Sequence, residues 1–326
     1  MATERNTINI FTSCNAGYLR HIPTLMMSLS DNMPSREIRV FVLHTESPKS
    51  NLELLKKFGE TIHIECVPVL IDGKKLENYY ELKKATTAYG ENPYAVEGMF
   101  MCLPNRDLPY DVDRALYLDC GDVVVSGDIS EFYFSDFSGA VITASKGFSQ
   151  NWSYIPEQLF DRTVYLETAQ EYFNAGSVLF NVELMRRYGI DFDYYFSLLN
   201  RLRKIQKNFD APMFFKDRHF VVIDDQGLLG TAFTGHINFY DPDDRGEFLT
   251  YYNFRPFVLE CNQTLCGNEV YNYSLSDLPV KIIHLLGNKP GTPPEKRKKL
   301  LRISQECLAL WDKYEAMASQ VSEGMG

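Results

Sequence analysis

Apolar residues come in short bursts whose period changes along the chain. Ile8 to Ser13 is a short apolar run, broken by Cys14, Asn15, Ala16 and Gly17. From Tyr18 to Leu29 the apolar positions Ile22, Leu25, Met26 and Leu29 fall three and four apart, the spacing of one helix face. Arg39 to His44 reads as the next strand. Pro48 opens a second helix through Phe58, with Leu52, Leu55 and Phe58 on one side. Ile62 to Val69 is a third strand. Strands alternating with amphipathic helices predict an α/β architecture, a mostly parallel sheet covered by helices. Right-handed crossovers would put a ligand crevice at the carboxyl ends of those strands.

Further along, Asp72 to Asn92 is polar and reads as irregular or helical, and Ala95 to Leu103 as a buried helix. Two apolar runs, Ala115–Leu118 and Val123–Val125, flank the turn Asp119-Cys120-Gly121-Asp122. Ser138 to Ala144 predicts another strand, and Asn174 to Val182 mixes a turn with a strand. Glu183 to Asn208 reads as helical with a break near Gly189. His219 to Ile223 predicts a strand, Asp224 to Thr231 a helix start, and Lys281 to His284 a late strand. A Gly/Pro-rich loop, Gly287 to Pro294, leads into a final helix from Glu295 to about Ala318. No repeat, low-complexity tract or linker interrupts this order. The expected organisation is one elaborated domain over residues 1–291 with a helical extension over 292–326.

Composition narrows the functional classes. Of 326 residues 45% are hydrophobic and 23% charged, which excludes disorder for most of the chain. The net charge of −10 argues against a nucleic-acid partner, because phosphate backbones need a basic face. Seven cysteines, none spaced Cys-x-x-Cys, read as reduced thiols and as no structural zinc. Together with a polar start this predicts a cytoplasmic protein without a signal peptide. The 20 Tyr and 22 Phe are a heavy aromatic load, divided between core and ligand groove in a way that composition does not apportion.

The acidic turn is the first candidate for chemistry. Two carboxylates at the end of a strand suit a hard divalent cation that also bridges a diphosphate. Other close acidic pairs exist at Asp111/Asp113, Asp191/Asp193 and Asp241/Asp243, but only the Asp119 turn has strand-like runs on both sides. The alternative is an acidic β-turn that merely caps the loop.

The segment from Arg114 to Ile129, Arg-Ala-Leu-Tyr-Leu-Asp-Cys-Gly-Asp-Val-Val-Val-Ser-Gly-Asp-Ile, resembles the metal-binding segment of glycosyltransferase family 8. Four further segments agree, in the family's order. Phe11 to Tyr18 resembles its first strand and nucleotide-binding loop, and Tyr172 to Asn181 its Phe-Asn-Ala/Ser-Gly segment. Asp225-Gln226-Gly227-Leu228-Leu229 resembles its Asp-Gln segment, and Ile283 to Pro290 its His-x-x-Gly-x-Lys-Pro segment. The resemblance spans roughly residues 7–291. It implies a GT-A fold and a retaining enzyme that uses a UDP-sugar.

Carried over residue by residue, the resemblance implies that Asp119, Asp122 and His284 ligate Mn2+ (or Mg2+). It puts Ser13, Asn15 and Tyr18 at the nucleotide and Asn174, Ala175 and Gly176 at the donor sugar. Asp225 and Gln226 would lie beside the anomeric carbon, and Gly287 and Lys289 would hold the diphosphate. The implied partners are a UDP-hexose donor, with glucose or galactose as the sugar, and a glycan, glycolipid or glycoprotein acceptor.

This chain departs from the family pattern twice. Its carboxylates stand three positions apart rather than two, with Gly121 inserted; a glycine at φ > 0 would let the turn aim both oxygens inward. No Arg occurs between Leu82 and Asn105, where the family carries one for the diphosphate, which leaves Lys83 or Lys84 as substitutes.

Each residue also has a plainer reading. His284 ends an apolar strand and suits a structural histidine as well as a metal ligand. Lys289 suits a solvated loop or a phosphate oxygen. Asn174-Ala175-Gly176 suits a turn or an amide that reads sugar hydroxyls. Asn15, and Asp224 or Asp225, suit helix caps, and Gln226 a helix surface. Cys120 reads as a small packing residue. The basic run Lys296 to Lys299 with Arg302 lies on a helix spanning 295–311; it suits a solvated face or a weak anchor to an anionic membrane.

Two other functions fit parts of the pattern. A sugar-nucleotide-binding protein without turnover is compatible with the missing Arg. An aspartyl phosphotransferase shares the strand and acidic turn, but it would want an acid two residues after the nucleophile, where Gly121 stands.

Overall fold

A computed structural model describes residues 6–45, 48–72, 76, 108–146, 173–198, 200, 225–233, 235–240, 250–261, 273–287 and 289–325. The helix expected over Ala95–Leu103, the strand expected over His219–Ile223, Lys83 and Lys84, and most of Asp72–Asn92 lie outside the described residues.

The strands are β1 Thr7–Ser13, β2 Glu37–His44, β3 Ile64–Leu70, β4 Ala115–Leu118, β5 Val123–Val125, β6 Ile142–Lys146, β7 Phe173–Phe180, β8 Ile237–Phe239 and β9 Ile282–His284. Seven form one sheet in the order β3-β2-β1-β4-β7-β6-β8, and β5 pairs with β9 in a second, two-stranded sheet. β1 runs parallel to β2 and β4, and β2 parallel to β3. β7 is the reversed strand, antiparallel to both β4 and β6. The segment expected to begin with a turn at Asn174 is therefore strand from Phe173 onward. Its ladder with β4 extends past Leu118, because Asp119 N–H donates to Gly176 O across 3.2 Å.

Side-chain alternation shows that the sheet is covered on both faces. Ile8 and Ile10 of β1, Ile38, Val40 and Val42 of β2, and Leu116 and Leu118 of β4 enter one core. Their neighbours Phe11, Phe41, Leu43, Ala115 and Tyr117 enter the other, with Val178 and Phe180 of β7.

The first core is closed by α1 Ile22–Asn32, α2 Lys49–Thr61 and the long C-terminal helix Arg302–Gly324. α1 carries Pro23 in its first turn, where a fixed φ suits the helix, and buries Ile22, Leu25, Met26 and Leu29. α2 buries Leu52, Leu55 and Phe58, as its spacing predicts. α3 is a single turn, Ser130–Tyr133. α4 Val182–Tyr188 is capped at one end by the Asn181 side chain, which accepts from Leu184 N–H, and stopped at the other by Gly189 at φ 64°. That is the break expected near Gly189. α5 Asp225–Ala232 packs on β7 through buried Leu228 and Leu229.

After α6 Pro256–Cys261 come α7 Pro294–Arg297 and α8 Arg302–Gly324. The sequence pattern predicts one helix here, but the chain breaks at Leu301, whose backbone is extended and whose N–H donates to Glu260 Oε1 at 2.6 Å. A tertiary acceptor thus replaces a helical one. α8 then buries Ile303, Cys307, Leu308, Trp311, Tyr314 and Ala318 along one stripe against α1. Asn32 donates to Tyr314 Oη at 2.8 Å where the two helices meet. Among the described residues no helix is long and apolar enough to cross a membrane.

Candidate active site

β1 lies between β2 and β4: from β1 the chain steps outward through β2 to β3 and then returns to β4 on the other side of β1. The carboxyl ends of β1 and β4 consequently open one crevice, the usual ligand position in a doubly wound sheet. β1 delivers Ser13, Cys14 and Asn15 there, and β4 delivers Asp119 to Asp122.

Asn15 is exposed, and its Oδ1 accepts from Gly17 N–H at 2.9 Å and Tyr18 N–H at 3.0 Å. It acts as a loop-closing cap, one of the two uses its sequence context allows. Tyr18 lies against Gly121: a Cβ on Gly121 would stand 2.6 Å from Tyr18 Cε1. Gly121 is not among the glycines at positive φ, contrary to the expectation from the inserted residue. Glycine is needed there because an aromatic ring passes over the backbone.

His284 reaches the acidic turn through the small sheet. Antiparallel pairing sets Val123 opposite His284, and Leu285 N–H donates to Asp122 O at 2.7 Å. The imidazole Nε2 stands 3.6 Å from Asp119 Oδ2 and 3.4 Å from Asp122 Oδ1. One ligand atom from each of these three residues fits within 4.8 Å. Asp122 and His284 are buried, while Asp119 is half-buried and faces the crevice. Two hard carboxylate oxygens and one imidazole suit a Mn2+-like divalent ion.

The electrostatics match that donor set. Burial pushes the Asp122 carboxyl up, but the charge and hydrogen bond of His284, then those of Lys289, outweigh it and hold it well below the usual carboxylate range. Lys289 Nζ stands 3.0 Å from Asp122 Oδ2. Burial pushes the His284 imidazole down; the Asp122 charge and hydrogen bond, with the Asp119 charge, raise it above its ordinary value overall.

Glycines admit the ring and the loop. A Cβ on Gly176 would overlap His284 Nδ1 and Cε1, so β7 must pass the imidazole without a side chain. Gly287 has φ 83°, and a Cβ there would strike the Phe257 ring. Both conditions shape the loop that carries Lys289.

Of the residues expected from sequence, Asn174 and Gly176 lie directly at His284. Asn174 Oδ1 is 2.8 Å from His284 Nδ1, and Ala175 is buried beside it on β7. Ser13 lies below the turn: its Oγ is 3.3 Å from Tyr117 Oη, and its carbonyl accepts from Cys120 Sγ at 3.5 Å. Cys120 is buried, consistent with packing. Asp225 and Gln226 open α5, the helix that packs against β7.

Three contributors were not foreseen. Tyr117 donates to Asp119 Oδ1 at 2.6 Å. A strand period of two, carried one residue past β4, puts these two on one side and was the available signal. Asn253 donates to Asn174 O at 2.8 Å and to its Oδ1 at 3.2 Å. Arg255, largely buried, is a cation whose charge acts on His284. Neither of the last two carries a sequence signal, because both come from a segment that reaches β9 only in three dimensions.

On the basic helix, Arg297 pairs with Asp312, and Arg302 pairs with Glu306 at 2.8 Å.

An α/β sheet that presents an Asp/Asp/His cluster beside the loop after its first strand agrees with the segments that the sequence resembles. The family model of Glycosyl transferase family 8 matches residues 9–224, and the chain belongs to that family. Solved structures agree on the fold. A galactosyltransferase, LgtC, crystallised with donor and acceptor sugar analogues, superposes with a TM-score of 0.61 at 18% identity, covering 94% of this chain and 96% of that one. The glycosyltransferase GlyE of Streptococcus pneumoniae gives 0.60 at 18% identity, covering 97% of this chain and 63% of GlyE. The bifunctional glycosyltransferase WbbM gives 0.55 at 14% identity, over 98% of this chain and 52% of WbbM. No curated protein matches the chain by sequence. The protein is a glycosyltransferase with a GT-A fold.

Proposed function

We propose that this glycosyltransferase moves a hexose, glucose or galactose, from a UDP-sugar to a hydroxyl of a glycan, lipid-linked sugar or protein, with retention at the anomeric carbon. The observation that carries the reading is the convergence of Asp119, Asp122 and His284 at the crevice of a family 8 chain. The sugar analogues in the LgtC crystals support a sugar donor and a sugar acceptor for the class.

These three residues would hold Mn2+ or Mg2+, which when bound supplies positive charge to the leaving diphosphate. The chain's own residues do the rest. Tyr18 and Asn15 border the base, with Ser13 beneath them. Gly287 lets the loop approach the diphosphate, and Lys289 exchanges its Asp122 partner for a phosphate oxygen, a point charge where negative charge builds. Asn174, Ala175 and Gly176 line the sugar side, and Asp225 and Gln226 flank the reacting carbon. An amide is a poor nucleophile, so the reading takes same-face attack. The bond from C1 to the phosphate oxygen breaks, the acceptor oxygen bonds to C1, and the acceptor proton passes to the departing phosphate. The protein is proposed to act in the cytoplasm, with Lys296, Lys298 and Lys299 as a weak contact to an anionic membrane face.

The test is UDP release with Mn2+ across a panel of UDP-sugars, with and without acceptors. Acceptor-dependent release from one UDP-hexose is expected, and Asp119→Ala should lower it at least about 100-fold while the protein stays folded. Full activity in that variant would remove the metal assignment. Binding without release would favour a non-catalytic sugar-nucleotide protein.

A further inference from the structure

We propose that Asn174 is a positioning residue for His284, locked in place by Asn253, and that this amide pair dictates which imidazole nitrogen faces the carboxylates. Its purpose rests on the metal reading above; its geometry does not. The argument starts from groups that can play one role only. Gly176 N–H can only donate, and it lies 3.0 Å from the amide atom of Asn174 that also meets His284, so that atom is the oxygen. An amide oxygen can only accept, so His284 Nδ1, 2.8 Å away, must carry a hydrogen. In the neutral ring, Nε2 is then the lone-pair nitrogen, and Nε2 is the one facing Asp119 and Asp122.

Asn253 fixes the amide that fixes the ring. Its partner Asn174 O is a backbone carbonyl that can only accept, so the Asn253 atom 2.8 Å away is the NH2, and its second hydrogen reaches Asn174 Oδ1. Asn253 is 1% exposed, and its backbone carbonyl accepts from Thr250 Oγ1 at 2.8 Å, which fixes the main chain that carries the amide. Gly176 completes the seat by leaving space for the ring. Asn174 Oδ1 therefore serves three donors, and a sugar hydroxyl seeking that oxygen would have to displace one of them. This is the outer partner that metal-bound histidines generally require.

The experiment uses the full chain, Mn2+ alone with no sugar nucleotide, and 15N-labelled histidine. Free Mn2+ is measured by electron paramagnetic resonance, and the ring tautomer of metal-free protein by 15N NMR at a pH where His284 is neutral. Asn174→Ala and Asn253→Ala should weaken Mn2+ binding by about 10–100-fold. Asn174→Asp keeps an oxygen for all three donors and should bind at least as tightly as the parent. In metal-free parent protein the hydrogen should sit on Nδ1, and in Asn174→Ala it should spread over both nitrogens. Thermal midpoints identify a variant that fails to fold, and Asn253→Ala then carries the comparison. Parent-like affinity with parent-like tautomer in both alanine variants would overturn the proposal, as would an Asn174→Asp loss equal to that of Asn174→Ala. Parent protein that binds no Mn2+ would instead defeat the metal reading, while the tautomer measurement still decides the role of Asn174.

Discussion

Tyr117 donates its phenolic hydrogen to Asp119 Oδ1 across 2.6 Å, which turns the other oxygen of that carboxylate, Oδ2, toward His284. The phenol ring is core, packed beside Phe11 with ring centroids 5.3 Å apart. One residue therefore belongs to the hydrophobic layer and to the site at once. Tyr117→Phe retains the packing and removes the hydrogen bond. We expect a stability loss of about 1–2 kcal/mol in urea unfolding and Mn2+ binding weaker by about tenfold. Unchanged Mn2+ affinity would mean that Asp119 holds its orientation without the phenol.

Gly176 lets β7 pass the His284 ring. Gly176→Ala inserts a methyl group into the imidazole, so the ring or the strand must move. The expected cost is about 1–3 kcal/mol, typical of overpacking, with loss of measurable Mn2+ binding. A variant that binds Mn2+ like the parent would show that the ring can find a second seat.

The pH dependence follows from His284. Its imidazole is raised above the ordinary value, so the metal-free protein keeps a proton there until pH climbs past that raised value. The attraction between that proton's charge and Asp122 stabilises the metal-free fold fully below the imidazole's unfolded value and is lost as pH rises through the folded one. Mn2+ must expel the same proton. Its apparent affinity should therefore rise by about tenfold per pH unit while His284 is protonated, then level off. Calorimetric titration at several pH values reads the slope. A flat profile through neutrality would contradict the coupling.

Trp311 anchors α8. It is fully buried in the core that α8 shares with α1 and β1, and its ring lies 5.9 Å from that of His21. Trp311→Ala should cost about 3–5 kcal/mol in denaturant unfolding. A loss below about 1 kcal/mol would mean that α8 docks without contributing to the common core.

Much of the frame was legible in the chain because periodicity is local. The three- and four-residue spacing of Ile22, Leu25, Met26 and Leu29 foretold α1, and the runs around Asp119 foretold β4, the turn and β5. The acidic turn was singled out by the strand-like runs on both sides of it, and His284 and Lys289 by the resemblance to the family. Tertiary structure decided the rest. That β7 runs backwards between β4 and β6, that Leu301 leaves the helix for Glu260, and that Gly121 is required by the Tyr18 ring rather than by its own φ are consequences of partners far along the chain. The site itself is the clearest case. Asp122 and His284 are 162 positions apart, and Asn174 and Asn253 come from two further segments. Hydrophobic period records which face of an element is buried. Which elements pair, and hence which polar atoms meet, is decided only when the loops close and buried donors must find acceptors.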